Sequence, residues 1–235
     1  MTAAGPVIPN FGKASACITD NRAFCWGWVR AHWHDTLEPH LIQHVELTFV
    51  AVAIGFALAF VLALLSHRFR RLDQPVAIVA GLIYTIPSLA AFLVVLPIFG
   101  ISYTTIEVPL TGYSLVLLYP NITAGLRAAP ADVLEAAHGM GLTRIQTLWR
   151  VELPLAVPAI IGGLRIAAVS TVSIGTIAAI VGGKGLGEPI FIALGAPHPF
   201  RTEIYAAGGL VVVLALSLDL VLVVTRRMLV PWTRA

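Results

Sequence analysis

Long apolar runs separated by short charged connections dominate the chain. After Glu46 no charged residue occurs until Arg68. None lies between Asp73 and Glu107, between Glu107 and Arg127, between Arg165 and Lys184, or between Glu203 and Asp219. A helix needs about 20 predominantly apolar residues to cross a bilayer. The pattern therefore predicts five spans, over 46–66, 76–99, 107–127, 156–182 and 204–226. Pro87 is placed to kink the second span, which must end near Pro97–Gly100. The fourth is long enough to protrude or to break at its Gly-rich end. The expected fold class is all-α, a polytopic transmembrane helical bundle. Residues 1–44 read as an N-terminal extension and 45–230 as the membrane domain, with a polar segment over 128–155.

The polar remainder sets an orientation. The connection 67–74 carries Arg68, Arg70 and Arg71; the segment 127–155 carries Arg127, Arg144 and Arg150; the C-terminal tail carries Arg226, Arg227 and Arg234. Loops rich in Arg face the cytoplasm. The connection near 100–106 has no Lys or Arg, and 183–203 offsets Lys184 and Arg201 with Glu188 and Glu203. Every connection fits an N-terminus outside and a C-terminus inside.

Composition agrees. The chain is 58% hydrophobic and 11% charged, with mean hydropathy +0.88. A soluble domain carries roughly 25% charged residues, so a soluble enzyme, a disordered chain and a secreted disulfide scaffold are excluded. The net charge of +3 gives little support to nucleic-acid binding; such a bias suits cytoplasmic loops and anionic lipid. Cys17 and Cys25 both lie in the polar N-terminal stretch, where a disulfide and two free thiols are equal alternatives. Over 25–49, Trp26, Trp28 and Trp33 suit an interfacial helix. His32, His34, His40 and His44 read as its wet face rather than a metal site, since no Cys or carboxylate stands at ligand spacing.

The segment 127–155, RAAPADVLEAAHGMGLTRIQTLWRVELPL, is polar yet patterned for structure. Pro130 and Asp132 suit a first helical turn, and VLEAAH is a strong helix former. Gly139 and Gly141 break that helix. Thr143 with Gln146 forms a capping-box pattern opening a second short helix, which Pro154 is expected to stop.

Glu135-Ala136-Ala137, three residues, Gly141, nine residues, Val151, one residue, Leu153-Pro154 resembles the EAA motif of ABC-importer permeases, with Val151 standing for Ile. IYTIPSLA (83–90), LPLAVPAIIGGLRIA (153–167) and IVGGKGLGEPIF (180–191) extend the resemblance to permeases for glycine betaine, choline and carnitine, over roughly 40–232. The resemblance implies a MetI-like fold and a role for 128–155 as the segment that docks on a cytoplasmic ATPase. Glu135, Ala136, Ala137, Gly141, Val151, Leu153 and Pro154 would be its coupling residues. It implies as partners two ATPase subunits carrying Mg-ATP, a second permease subunit (identical or related) and an extracytoplasmic binding protein. It implies no catalysis and no cofactor on this chain, a bacterial plasma-membrane location, and an osmoprotectant cargo such as glycine betaine, choline, carnitine or proline betaine. Methionine or another small solute is the alternative cargo, and a secondary transporter the alternative class, though no internal repeat supports it.

Gly182-Gly183-Lys184-Gly185-Leu186-Gly187 is not a P-loop: no Gly sits five residues before Gly183, and Lys184 precedes Gly185 rather than Ser or Thr. It reads as a broken helix end near an outer gate. Ionisable residues inside spans are functional candidates. Arg165 and Asp219 fall at similar depths, so they are expected to pair, with separate snorkelling as the alternative. Asn121 and Thr123 are candidates for lining a path, or for joining helices. Gly162-Gly163 and the small-residue run 167–179 suggest tight packing at a dimer seam. No Trp falls inside a span, and no aromatic box for a quaternary ammonium is recognisable.

Overall fold

A computed structural model describes residues 21–230, and within them the protein is helical. The helices are α1 (Trp26–Ala31), α2 (Glu38–Arg68), α3 (Asp73–Thr85), α4 (Ser88–Phe99), α5 (Tyr103–Leu126), α6 (Ala131–Gly139), α7 (Arg144–Thr147), α8 (Leu153–Gly182), α9 (Gly187–Gly195) and α10 (Arg201–Leu229). A π turn, Trp33–Leu37, leads into α2, and a second, Leu148–Glu152, joins α7 to α8.

Among the described residues three helical stretches are long and apolar enough to cross a membrane, Trp33–Arg68, Arg144–Gly182 and Arg201–Leu229; the pair α3–α4 passes the same test only when its two helices are taken together. That pair is bent by 95°. Pro87 has no N–H to continue the ladder and forces Ile86 into extended backbone (ψ 124°). The Tyr113 hydroxyl of α5 donates to the freed Ile86 carbonyl, so the break leaves that acceptor satisfied. The helix ends at Phe99, before Gly100, where the sequence placed its end.

α5 corresponds to the third expected span but is less apolar than the others, with Glu107, Asn121 and two internal prolines. It tolerates this because protein surrounds it. It lies between α2 and α8, with α3 and α4 also against it, and fourteen of its 24 residues are buried. Its seam with α2 and α8 is built from Ala59, Ala63, Leu118, Ile122, Ala156 and Ala167. Small side chains let helix backbones approach closely. At Gly163 the approach is close: a Cβ there would lie 2.6 Å from the Asn121 Cβ. Ala167, Ala168, Thr171, Gly175, Ala178 and Ala179 are likewise buried inside this chain. The small-residue face expected at a dimer seam is thus largely consumed by intrachain packing.

The region 25–49 is not one helix: α1 and a π turn lead into α2. α2 runs unbroken from Glu38 to Arg68, across the boundary drawn at 44–45. Trp28 is 4% exposed and packs with Val29, Leu37, Ala206 and Ala207 against the start of α10, whereas Trp26 is exposed. Asn21 fastens this region further, accepting from the Arg201 N–H at 3.1 Å and donating to the Pro199 carbonyl at 3.0 Å. Cys25 is disulfide-bonded, which removes the free-thiol alternative for it; Cys17 lies outside the described residues.

Candidate functional site

The segment 128–155 folds as an elbow of two helices. Pro130, with extended backbone, stands just before α6, and its carbonyl accepts from the Leu134 N–H. The helix closes through Gly141, whose φ of +79° few other residues adopt cheaply. The Gly141 N–H donates to the His138 carbonyl at 2.9 Å and the Leu142 N–H to the Ala137 carbonyl at 3.2 Å. This paired closure ends a helix with its last carbonyls satisfied. The expected capping box opens α7: Thr143 Oγ1 accepts from the Gln146 N–H, and Gln146 Oε1 accepts from the Thr143 N–H at 2.8 Å.

Pro154 does not stop the second helix, as the sequence reading had it. The π turn Leu148–Glu152 carries α7 directly into α8, and Pro154 occupies its first turn. A proline there removes an N–H that the wider turn leaves without a regular partner. From Arg144 to Gly182 the chain is one helical stretch of 39 residues.

The elbow's residues divide into two faces. Glu135 and Ala136 are exposed, as are the large apolar side chains of Val133, Met140, Ile145 and Trp149. Ala137 is buried, and Val151, Leu153 and Pro154 are half-buried, with Leu153 packed on the seam of α2, α5 and α8. Glu152 sits 2.8 Å from His67 at the end of α2. Beside it, Asp73 pairs with Arg127 Nη1 at 2.9 Å and accepts from the Tyr119 hydroxyl at 3.1 Å. Asp73 lies ahead of the second span, and the Arg127 guanidinium holds its carboxyl below the ordinary range. Neither cluster was singled out in the sequence, since each joins residues dozens of positions apart.

Arg165 on α8 meets Asp219 on α10 through two bonds, Nε to Oδ1 at 2.7 Å and Nη2 to Oδ2 at 2.9 Å. The pairing expected from their depths is present. Asn121 and Thr123 spend their side-chain donors on their own helix, Asn121 Nδ2 on the Leu117 carbonyl and Thr123 Oγ1 on the Tyr119 carbonyl, both at 2.8 Å. Both bonds stay within α5, and Asn121 meets α8 through packing on Gly163.

At the other end of α8 the Gly-rich run is a helix end, as expected. Gly183 takes left-handed backbone and α9 begins at Gly187. The run is sutured to α2: the Gly185 N–H donates to Gln43 Oε1 at 3.2 Å, the Leu186 N–H to His44 Nδ1 at 3.2 Å, and His40 Nε2 faces Glu188 Oε2 at 3.1 Å. His44 is 1% exposed. With Nδ1 accepting, its Nε2–H donates to the Val172 carbonyl at 3.0 Å, so this geometry requires the neutral ring. This corrects the wet-face reading of His44.

The enclosed central helix α5, the helix pair bent at Pro87 and the elbow continuous with α8 are the features that position these residues. Residues 51–234 match the family of binding-protein-dependent transport system inner membrane components, and the chain belongs to that family. It is 32% identical over 191 residues to the choline transport system permease protein OpuBB of Bacillus subtilis (strain 168), covering 80% of this chain and 86% of that one. It is 34% identical over 183 residues to the osmoprotectant import permease protein OsmW of Salmonella typhimurium, covering 75% and 84%. In fold it resembles a chain of the MetNI methionine ABC transporter in inward-facing form, with TM-score 0.73 and 21% identity over 82% of this chain and 95% of that one. A chain of an amino acid ABC transporter crystallised with histidines gives TM-score 0.73 at 21% identity, over 86% and 97%.

Proposed function

We propose that this chain is the membrane-spanning subunit of an ATP-driven importer for a small osmoprotectant of the choline, glycine betaine and carnitine class. The observation that carries the mechanism is the unbroken stretch from Arg144 to Gly182. A lever that ends in a membrane helix transmits force without a soft joint. The exposed apolar face of Val133, Met140, Ile145 and Trp149, with Glu135 and Ala136, suits docking into a groove on a separate ATPase. ATP, with its magnesium, is bound and hydrolysed on that partner, in two copies. Closure of the ATPases moves the elbows, α8 follows, and the Arg165–Asp219 pair draws α10 with it. Alternating access arises by shifting the population between two arrangements of the bundle.

In this reading the α3–α4 pair is a single broken crossing and α5 crosses as well, which gives five passes. The arginine-rich end then faces the cytoplasm, the C-terminus lies inside and the N-terminus outside. Five passes enclose no path alone, so a second permease subunit completes it, and an extracytoplasmic binding protein delivers the cargo. The test is Gly141→Asp. It removes the residue that turns the elbow and leaves the membrane helices untouched. Membrane insertion should be unchanged, while ATPase co-purification and ATP-dependent uptake of labelled choline or glycine betaine into vesicles disappear. Normal uptake by this variant overturns the coupling role.

A further inference from the structure

At the arginine-rich end, the last turn of α2, the start of α3, the end of α5 and the elbow enclose an open cleft of about 1500 Å³. Two carboxylates line it, and each already has a partner: Asp73 has Arg127 at 2.9 Å, and Glu152 has His67 at 2.8 Å. Arg68, Arg70, Arg71 and Arg144 line the same cleft, are exposed, and have no carboxylate partner among the described residues. The cleft therefore holds a surplus of positive charge that its own acids do not neutralise. Orientation in the membrane accounts for arginines on this side. It does not account for their convergence, from two separate connections, on one concave surface.

Leu64, Leu134 and Leu148 give the wall an apolar part, beside His138, Thr143 and Thr147. A guanidinium fork matches a phosphate, and a leucine wall matches hydrocarbon. A free polyphosphate would engage the rim and leave that wall wet. Pockets for small solutes run to roughly 300–1,000 Å³, and this cleft is larger. The turn bearing Arg70 and Arg71 follows α2 directly where that apolar helix ends, and the end of a membrane-spanning helix is where headgroup phosphates lie. We infer that the cleft binds an anionic phospholipid, with Arg70, Arg71 and Arg144 holding the phosphate and the leucines receiving the upper acyl chains. The inference depends on the shape and charge of this end of the bundle, not on which solute is carried.

The full chain, with the subunits that co-purify, is placed in nanodiscs of phosphatidylcholine containing increasing phosphatidylglycerol, and bound lipid is counted by native mass spectrometry. Phosphatidylglycerol should be retained in preference to phosphatidylcholine. Arg71→Gln should weaken retention about five-fold and the triple Arg70→Gln, Arg71→Gln, Arg144→Gln about a hundred-fold. Arg68, Arg127 and Arg150 remain to hold orientation, and the single variant serves if the triple one fails to assemble. Equal retention by wild type and Arg71→Gln overturns the site. Inorganic pyrophosphate is the second arm. If it binds at micromolar concentration and displaces phosphatidylglycerol, the occupant is a free phosphate compound and the lipid assignment falls. If lipid is retained by the chain alone but not with its ATPase, the cleft is a protein–protein surface and the assignment falls again. Failure of osmoprotectant uptake with lipid retention intact would overturn the transport reading only.

Discussion

Arg165 and Asp219 are 54 residues apart in sequence and meet fork to fork, with bonds of 2.7 and 2.9 Å. Each side chain is about one-third exposed in the single chain, so the pair sits on a flank of the bundle rather than sealed within it. It ties α8 to α10. At 1.5 Å per residue, Arg165 stands about 18 Å along α8 from Leu153, well inside the apolar stretch. Removing one partner strands the other at membrane depth, whereas removing both does not.

Asp219→Ala should therefore lower the yield of folded, monodisperse protein about ten-fold. The double variant Arg165→Met, Asp219→Leu should return it to within about two-fold of wild type. Size-exclusion of fluorescent fusions extracted in detergent reads both. A single variant as well behaved as wild type would show that the pair contributes nothing to the bundle.

The adjacent glycines of α8 should respond in opposite directions. A Cβ at Gly162 meets nothing within 4 Å, whereas at Gly163 it lies 2.6 Å from the Asn121 Cβ. Gly162→Ala should raise stability by up to about 1 kcal/mol, through the higher helix propensity of Ala. Gly163→Ala should cost about 1–3 kcal/mol, through overpacking. Thermal melts of the two variants decide it, and equal Tm values would contradict the close approach of α5 and α8.

Asp73 gives a pH signature. Its carboxyl is held below the ordinary range by Arg127. The stabilisation is therefore complete above the unfolded-state value, about pH 4, and is lost as pH falls through the lower folded-state value. The Tm difference between wild type and Asp73→Asn should be flat from about pH 8 to pH 5 and shrink below about pH 4. The pair is exposed enough that the difference at neutral pH should be modest, roughly 1–2 °C. A difference that grows toward acid pH would reverse the assignment.

His44→Ala leaves the buried Leu186 N–H without its acceptor and takes one donor from the Val172 carbonyl, which keeps the Thr176 hydroxyl. The expected loss is about 2 kcal/mol. His44→Gln keeps both an acceptor and a donor and should recover part of it. Backbone hydrogen exchange at Leu186 checks the contact directly: its protection should fall in the alanine variant and persist in wild type.

Much of the elbow was legible because its signals are local. A capping box is written in positions 143 and 146, and a helix closure in Gly141, without reference to anything distant. The Arg165–Asp219 pair was legible because two charges in apolar runs have few inexpensive destinations. The role of His44 was not, because its partners are backbone groups 128 and 142 residues away, which no side-chain pattern encodes. Pro154 misled because the rule that proline ends a helix assumes regular spacing, and five residues of π turn precede it. The sharpness of the bend at Pro87 depended on whether a neighbour would donate to the freed Ile86 carbonyl, and the Tyr113 hydroxyl does. The exposed placement of Glu135, in contrast, needs only the helical period of α6.

The π turn at Leu148–Glu152 makes the number of residues in this short stretch a mechanical constant. In a continuous helix each residue adds about 100° of rotation. A one-residue deletion between Trp149 and Glu152 would leave every side chain of α8 chemically intact and turn the whole rod by more than a quarter revolution relative to the elbow. Arg165 would then face away from Asp219 while the exposed apolar face of the elbow stayed where it was. Sequence drift is tolerable in this joint, but a change of length acts like a key cut with its teeth rotated.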